Sequence, residues 1–170
     1  MGGTKAGGAA PRQRGSATDG LAGGGFYHKD TPDFYPEWIR RVTVPKREGG
    51  SLDAPVIDSA AALVYIANQA CLTPHLWLSR ADDLERPDRM IFDLDPPEDG
   101  GDFAVVRRAA RDLRELLDGV GLSPWVMTTG SKGLHVVAPL RREQDFDAVR
   151  EFARDLAEVL TARAPDIYTL

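Results

Sequence analysis

The chain has too few cysteines to build disulfides or zinc cages, and it has no long apolar run that could span a membrane. A single cysteine, Cys71, stands among its 170 residues, which excludes an internal disulfide framework and a cysteine-based zinc site. No apolar run approaches the ~18 residues that are needed to span a bilayer, so we expect no membrane partner. Because the N-terminus also lacks the apolar core of a secretory signal, we expect the protein to be cytoplasmic.

Basic charge is scarce as well. The 21 Lys and Arg residues are outnumbered by 26 Asp and Glu residues, whereas domains that bind nucleic acid through their overall charge carry a basic surplus. Eight of the basic residues and only five of the acidic ones fall within residues 1–50. Any contact with phosphate must therefore come from the local placement of a few side chains.

The composition divides the chain into a tail and one domain. Residues 1–25 are rich in Gly, Ala and Ser and contain almost no side chain large enough to bury, so they cannot offset the entropy cost of ordering them. We expect a disordered, Gly-rich tail there. The remaining residues, 26–170, are enough for one globular domain with a hydrophobic core.

Hydrophobic periodicity predicts alternating strands and helices in that domain. Strands are predicted at 38–44, 52–57, 75–79, 89–95, 125–129 and 134–140. Helices are predicted from a cap at Asp58 or Ser59 to Ala70, over 102–120 and over 145–162. Mixed elements in this order predict an α+β fold in which helices flank a largely antiparallel sheet.

Two carboxylates end the predicted strand over 89–95. Side chains alternate along a strand, so Asp93 and Asp95 share one face and their Cα atoms lie ~6.6 Å apart. Two such charges repel each other unless a cation compensates them, which gives a physical reason to expect Mg²⁺ or Mn²⁺. The alternative is a pair of solvent-facing aspartates that end an edge strand before Pro96 and Pro97, and the motif alone does not decide between them.

A Gly-Lys loop precedes the last predicted strand. The glycines of Thr128–His135 permit close backbone approach, its hydroxyls and amides can donate to phosphate oxygens, and Lys132 adds a positive charge. It is not a P-loop, because a strand follows it rather than a helix. His135 and His75 both point away from the apolar side chains of their strands, toward the face of the aspartates. That layout suits a metal–nucleotide site, and the alternative is an ordinary hairpin with a surface lysine.

Aromatic and basic residues adjoin the Gly-rich tail. The segment Phe26–Lys29 combines two aromatic rings with a lysine, a pairing that suits stacking on exposed bases and contact with a nucleic-acid backbone. The alternative is that the two aromatic residues pack the tail against the domain. The segment by itself leaves both open.

Five segments of the chain carry a family resemblance: Phe26–Lys29, Trp77–Leu84, Arg86–Arg89, Phe92–Pro96 and Thr128–Val136. In order and spacing they resemble the polymerase domain of bacterial ATP-dependent DNA ligase D, a member of the archaeo-eukaryotic primase superfamily that serves non-homologous end joining in DNA repair. The resemblance covers about residues 25–163. It implies a primase-like (RRM-like) mixed sheet whose exposed face binds a nucleoside triphosphate and metal ions.

The resemblance also implies roles for individual residues. Asp93 and Asp95 would be the catalytic ligands of Mn²⁺ or Mg²⁺. Contacts with the triphosphate of an incoming NTP or dNTP would fall to His75, Thr129, Ser131, Lys132 and His135. Contacts with DNA would fall to Phe26, Tyr27 and Lys29. The implied reaction adds nucleotides at DNA ends or in gapped DNA, with a ligase or nuclease polypeptide and an end-binding protein of the same pathway as further partners.

The chain departs from the family pattern at both ends. The family carries a third metal-binding aspartate on a strand later than Leu170, and opening strands where this chain has its Gly-rich tail. We therefore expect an incomplete sheet and, as an alternative function, a catalytically incomplete remnant or subunit that binds nucleotides or DNA ends. Open strand edges would favour association or poor solubility.

One alternative belongs to another enzyme class. Asp-Leu-Asp after an apolar strand also fits the nucleophile motif of haloacid-dehalogenase-like phosphatases. That family continues with a small-Thr/Val pattern, whereas Pro96 and Pro97 follow in this chain. The sequence therefore favours the polymerase resemblance.

Overall fold

The computed structural model describes residues 12–14, 25–27, 30–46, 48–97 and 102–169. These residues form ten strands and three helices. The chain divides into two compact units, an N-terminal unit within residues 6–77 and a C-terminal unit that contains residues 78–170. Whether 26–170 acts as one domain stays a prediction. In the described part of the chain, none of the helices is both long and apolar enough to cross a membrane.

The N-terminal unit contains five strands and one helix: β1 (Arg12–Arg14), β2 (Gly25–Tyr27), β3 (Arg41–Pro45), β4 (Ser51–Pro55), α1 (Ala60–Asn68) and β5 (Cys71–Thr73). β1 lies between β2 and β5 in one antiparallel sheet, and β3 pairs with β4 in a hairpin. Helix α1 begins after Ser59, whose hydroxyl accepts from the backbone N–H of Ala62 at 3.1 Å. The unit's small core contains Tyr35, Ile39, Ile66 and Cys71.

The C-terminal unit contains five strands and two helices: β6 (Ser79–Arg80), β7 (Asp83–Pro87), β8 (Arg89–Leu94), α2 (Phe103–Gly119), β9 (Trp125–Thr128), β10 (Leu134–Pro139) and α3 (Phe146–Arg163). β10 lies between β8 and β9 and is antiparallel to both. β6 and β7 form a separate hairpin. The three-stranded sheet and the two long helices make up the larger core of the chain.

That core forms because every second side chain of the strands is apolar and packs against the apolar faces of the two amphipathic helices α2 and α3. The sheet contributes Met90, Leu134, Val136 and Ala138. The helices contribute the buried side chains Val106, Ala109, Ala110, Leu113, Leu117, Ala153, Leu156 and Leu160. Side chains alternate along a strand, so the intervening residues of β8 and β10 point to the face that the helices do not cover. The candidate site lies on that face.

Most predicted elements are found within a few residues of their expected bounds. The strand predicted at 75–79 is wrong: residues 74–77 have no regular structure, because Pro74 has no N–H for a strand ladder and Leu76 is exposed rather than packed in an apolar layer. The strand predicted from Trp38 begins only at Arg41, since Ile39 donates its N–H to the carbonyl of Pro36 in a turn.

Four strands of the structure, β1, β2, β5 and β7, have no counterpart in the predictions. β7 is largely charged and β5 is only three residues long, so neither shows a readable alternation. β1 lies inside the segment expected to be a disordered tail, because backbone pairing with β2 and β5 requires no large side chain. Most of the segment 1–25 lies outside the described residues, so its disorder stays a prediction.

Candidate functional site

The two aspartates lie at the end of β8. Asp93 is paired across the sheet with His135 of β10, and its side chain is 61% exposed. Asp95 follows the strand and is also exposed. A Cβ built on Gly133 would meet the Oδ1 atom of Asp95, and residues 133 and 135 point to the same face of their strand. Both carboxylates therefore lie on the sheet face opposite the helices.

His135 joins the aspartates on this face. Its Nε2 atom lies 3.3 Å from Oδ1 of Asp93. Its Nδ1 atom is buried and has no hydrogen-bond partner among the described atoms. The imidazole is thus held beside one carboxylate with its second nitrogen unsatisfied, which is an arrangement that a bound ligand or water can complete.

A tight loop connects β9 to β10 and is closed by Thr129. The hydroxyl of Thr129 accepts from the backbone N–H groups of Ser131 and Gly133, at 3.2 and 3.3 Å, and donates to the carbonyl of Gly133 at 3.2 Å. Gly130 has a φ of +76°, a left-handed conformation that favours glycine. The loop therefore presents Ser131 and Lys132, both exposed, at its tip.

The donor set fits a hard divalent cation. Carboxylate oxygens are the ligands that Mg²⁺ and Mn²⁺ prefer, and Mg²⁺ is commonly bound by one or two carboxylates together with substrate phosphates. Among the described residues, no lysine or arginine forms an ion pair with Asp93 or Asp95. The described residues also contain no group of three or more His, Cys, Asp and Glu side chains placed to hold a metal.

The remaining predicted site residues lie in the N-terminal unit. His75 is exposed in the irregular segment after β5, and its contact with a nucleotide stays a prediction. The backbone of Phe26 and Tyr27 belongs to β2. The side chains of both aromatic residues, and all of Lys29, lie outside the described residues, so their contact with DNA stays a prediction.

The opposite end of β8 carries a charge network that the sequence predictions missed. Asp88, whose side chain is 8% exposed, accepts from Arg80 at 2.9 Å and from Arg89 at 2.7 Å. Burial alone would raise the pKa of Asp88, but the hydrogen bonds from the two guanidinium groups outweigh it and hold that pKa below its usual value. Arg142 binds Asp82 at 2.9 Å, and this hydrogen bond lowers the pKa of Asp82.

The sequence predictions also missed how closely Gly133 packs against Leu94 and Asp95. A Cβ at this position would lie 2.6 Å from Oδ1 of Asp95 and 2.6 Å from the carbonyl oxygen of Leu94. Real Cβ atoms do not approach other atoms so closely. The loop motif gave a signal, since its second glycine directly precedes a strand, but only the pairing of β8 with β10 shows what the glycine accommodates.

Comparisons with known proteins agree on one family. The protein-family model described as "LigD, primase-polymerase domain" matches residues 11–170 of this chain. The "Multifunctional non-homologous end joining DNA repair protein LigD" of Mycobacterium tuberculosis is 35% identical over 152 residues, which cover 85% of this chain and 20% of that protein. The "Bifunctional non-homologous end joining protein LigD" of Bacillus subtilis is 29% identical over 145 residues, which cover 85% of this chain and 23% of that protein.

A solved structure is similar as well. The "Polymerase Domain from Mycobacterium tuberculosis Ligase D in complex with DNA" superposes with a TM-score of 0.79 at 32% sequence identity. The match covers 92% of this chain and 57% of that one, whereas the chain spans only about a fifth of the length of the curated relatives. The predicted α+β, primase-like fold is confirmed.

Proposed function

The chain belongs to the LigD primase-polymerase domain family, and from that premise we propose that it is a polymerase- or primase-type nucleotidyltransferase domain of non-homologous end joining. Its reaction is the addition of ribo- or deoxyribonucleotides to DNA ends or gaps. The observation that carries the proposal is the convergence of Asp93, Asp95 and His135 with the Ser131-Lys132 loop at one end of the β8–β10 pair.

The carboxylates and the loop have complementary tasks in this proposal. Members of the family are divalent-metal-dependent enzymes. Asp93 and Asp95 hold Mn²⁺ or Mg²⁺, which supplies positive charge to the phosphoryl oxygens when it is bound. Lys132 and Ser131 contact the triphosphate of the incoming NTP or dNTP from the loop tip. From the family resemblance we also propose triphosphate contacts for Thr129, His135 and His75. The hydroxyl of Thr129 closes the loop as well.

DNA is the second substrate in this proposal. The solved structure of the similar M. tuberculosis domain is that of a complex with DNA, which supports the proposal that this chain binds DNA. Phe26 and Tyr27 stack on the template near the end, and Lys29 contacts the backbone beside them. A ligase or nuclease polypeptide and an end-binding protein of the same pathway complete the repair. We expect the domain to act in the cytoplasm, at the nucleoid during repair.

Primer extension tests the proposed activity. Gapped duplex DNA with a labelled primer is incubated with the protein and each NTP or dNTP, with Mn²⁺, with Mg²⁺ or with excess EDTA. We expect extension by one or a few nucleotides with a divalent ion and none with EDTA. Extension that persists in EDTA, or its absence under every condition, would contradict the proposal.

Binding without transfer is the second candidate function. It is favoured by the two exposed carboxylates, because one or two carboxylates suffice to hold a metal–nucleotide complex. Titration of labelled gapped DNA at several salt concentrations, with and without Mn²⁺ and an NTP, distinguishes it. Salt-dependent binding together with no extension would favour this candidate over the polymerase, and negligible, salt-independent binding would eliminate it.

A further inference from the structure

Gly133 lies where the loop and the metal-binding strand approach each other. It directly precedes β10, and in the β8–β10 register it is opposite Asp95, since Leu134 pairs with Leu94 and His135 with Asp93. A Cβ at Gly133 would come within 2.6 Å of both the Asp95 carboxylate and the backbone carbonyl of Leu94. The two chain segments are therefore closer at this point than any side chain allows.

We propose that Gly133 is a positioning residue: its lack of a side chain sets the separation between the Asp95 carboxylate and the loop that carries Ser131 and Lys132. The inference rests on the proposed function, because it assigns Asp95 to the metal. Gly133 itself touches neither the metal nor the nucleotide, and it acts through Asp95.

Conformational freedom does not explain this glycine. Gly130 and Gly121 have φ values of +76° and +80°, and each has open space where a Cβ would lie. Gly133 is the reverse case, because its φ lies outside the left-handed region while its Cβ position is occupied. Alanine at 133 therefore tests the close approach alone, without imposing a strained backbone.

The surrounding contacts leave little room for relaxation. The carbonyl of Leu94 is backbone and cannot rotate away as a side chain does. On the other side, Gly133 donates its N–H to the hydroxyl of Thr129 and accepts from that hydroxyl with its own carbonyl. An added methyl group must therefore shift Asp95 or open the loop, and either movement changes the distance between carboxylate and loop.

The test compares Gly133→Ala with a matched control, Gly119→Ala. Gly119 ends α2, has an ordinary φ, and has nothing within 4 Å of its Cβ position. Electron paramagnetic resonance of unbound Mn²⁺ gives the dissociation constant of each protein. We expect Gly133→Ala to weaken Mn²⁺ binding by about tenfold, as displaced supporting contacts of metal ligands do, and Gly119→Ala to match the wild type.

Extension assays at rising Mn²⁺ separate positioning from a general structural role. If Gly133 acts through Asp95, high Mn²⁺ restores much of the extension rate of Gly133→Ala. Mn²⁺ binding by Gly133→Ala that equals the wild type would overturn the inference while the proposed function stands. Weakened Mn²⁺ binding with no extension by any protein would instead contradict the proposed function and leave the inference supported.

A measurement on the wild-type protein covers the case in which Gly133→Ala does not fold. Substoichiometric Mn²⁺ broadens the NMR signals of amides close to the bound ion. We expect the amides of Gly133 and Asp95 to broaden first and that of Gly119 to remain sharp. A sharp Gly133 amide, or a wild-type protein that binds no Mn²⁺, would overturn the inference.

Discussion

The carboxylates at the two ends of β8 differ in burial and in their charged partners. At the start of the strand, Asp88 is nearly buried and accepts hydrogen bonds from Arg80 and Arg89. At its end, Asp93 is largely exposed and Asp95 follows it, with no lysine or arginine of the described residues paired to either. The protein neutralises one carboxylate itself. The other two have no such partner among the described lysines and arginines, which is the electrostatic basis of the proposed metal site.

The largest expected effect is the loss of a carboxylate at the exposed end. Asp93→Asn or Asp95→Asn keeps the shape of the side chain but removes the negative charge that we propose binds the metal. We expect each to lower primer extension by about a thousandfold, which corresponds to about 4 kcal/mol of transition-state stabilisation. Asp166→Asn, at an exposed position after α3, is the control and retains full activity. Full extension by either site variant would show that the two ends do not differ as proposed.

The next largest effect is on stability, at the start of β8, where Asp88 is paired with two arginines. Asp88→Asn leaves two arginines without their carboxylate, and we expect it to lower the free energy of unfolding at pH 7 by about 2 kcal/mol. Because the pKa of Asp88 is lowered in the folded state, its contribution is present above the ordinary value of 3.8 and is lost as the pH falls through the folded-state pKa. Urea unfolding at several pH values measures this. A gap between the two proteins that persists in strong acid would contradict the account.

A smaller effect is expected away from both ends. The hydroxyl of Tyr168 donates to Asp112 at 2.7 Å, and burial together with this hydrogen bond raises the pKa of Tyr168 to about 12. We expect Tyr168→Phe to lower the free energy of unfolding by about 1.5 kcal/mol, with Mn²⁺ affinity unchanged. The raised pKa makes this contribution complete below pH 10 and lost as the pH rises through about 12. A changed Mn²⁺ affinity in this variant would mean that the site responds to any loss of stability.

The smallest effect is expected in the loop. Thr129→Val loses the hydroxyl that closes the loop, and we expect the KM for the nucleotide to rise about fivefold, in proportion to one or two net hydrogen bonds. Thr129→Ser keeps the hydroxyl and restores the wild-type value. Equal KM values for the serine and valine variants would show that loop closure does not affect nucleotide binding.

Local pattern was enough to predict the three helices and the strands β8, β9 and β10. The apolar spacing in α2 and α3 and the alternation in β8 and β10 are properties of consecutive residues, so they were visible in the sequence. The same alternation predicted that Asp93 and His135 share a face, which their cross-strand pairing bears out. The strand predicted over 75–79 is wrong, because apolar alternation also occurs in segments that form no strand ladder, here directly after Pro74.

Contacts between distant segments could not be predicted in this way. The approach of Gly133 to Asp95 depends on the exact register of two strands separated by α2 and β9. The pairing of Arg142 with Asp82 joins residues 60 positions apart, and Arg142 adopts a φ of +55° that nothing in its sequence neighbourhood signals. Such features follow from tertiary structure, and they are the ones that refine the site.

The thermal shift caused by Mn²⁺ tests the contrast between the two ends of β8 most directly. A ligand that binds only the folded protein raises its melting temperature, so saturating Mn²⁺ should stabilise the wild type and Asp88→Asn by similar amounts. It should give no shift for the double variant Asp93→Asn/Asp95→Asn. An equal shift in the double variant, or none in the wild type, would contradict the claim that the exposed carboxylates of β8 are compensated by a divalent cation.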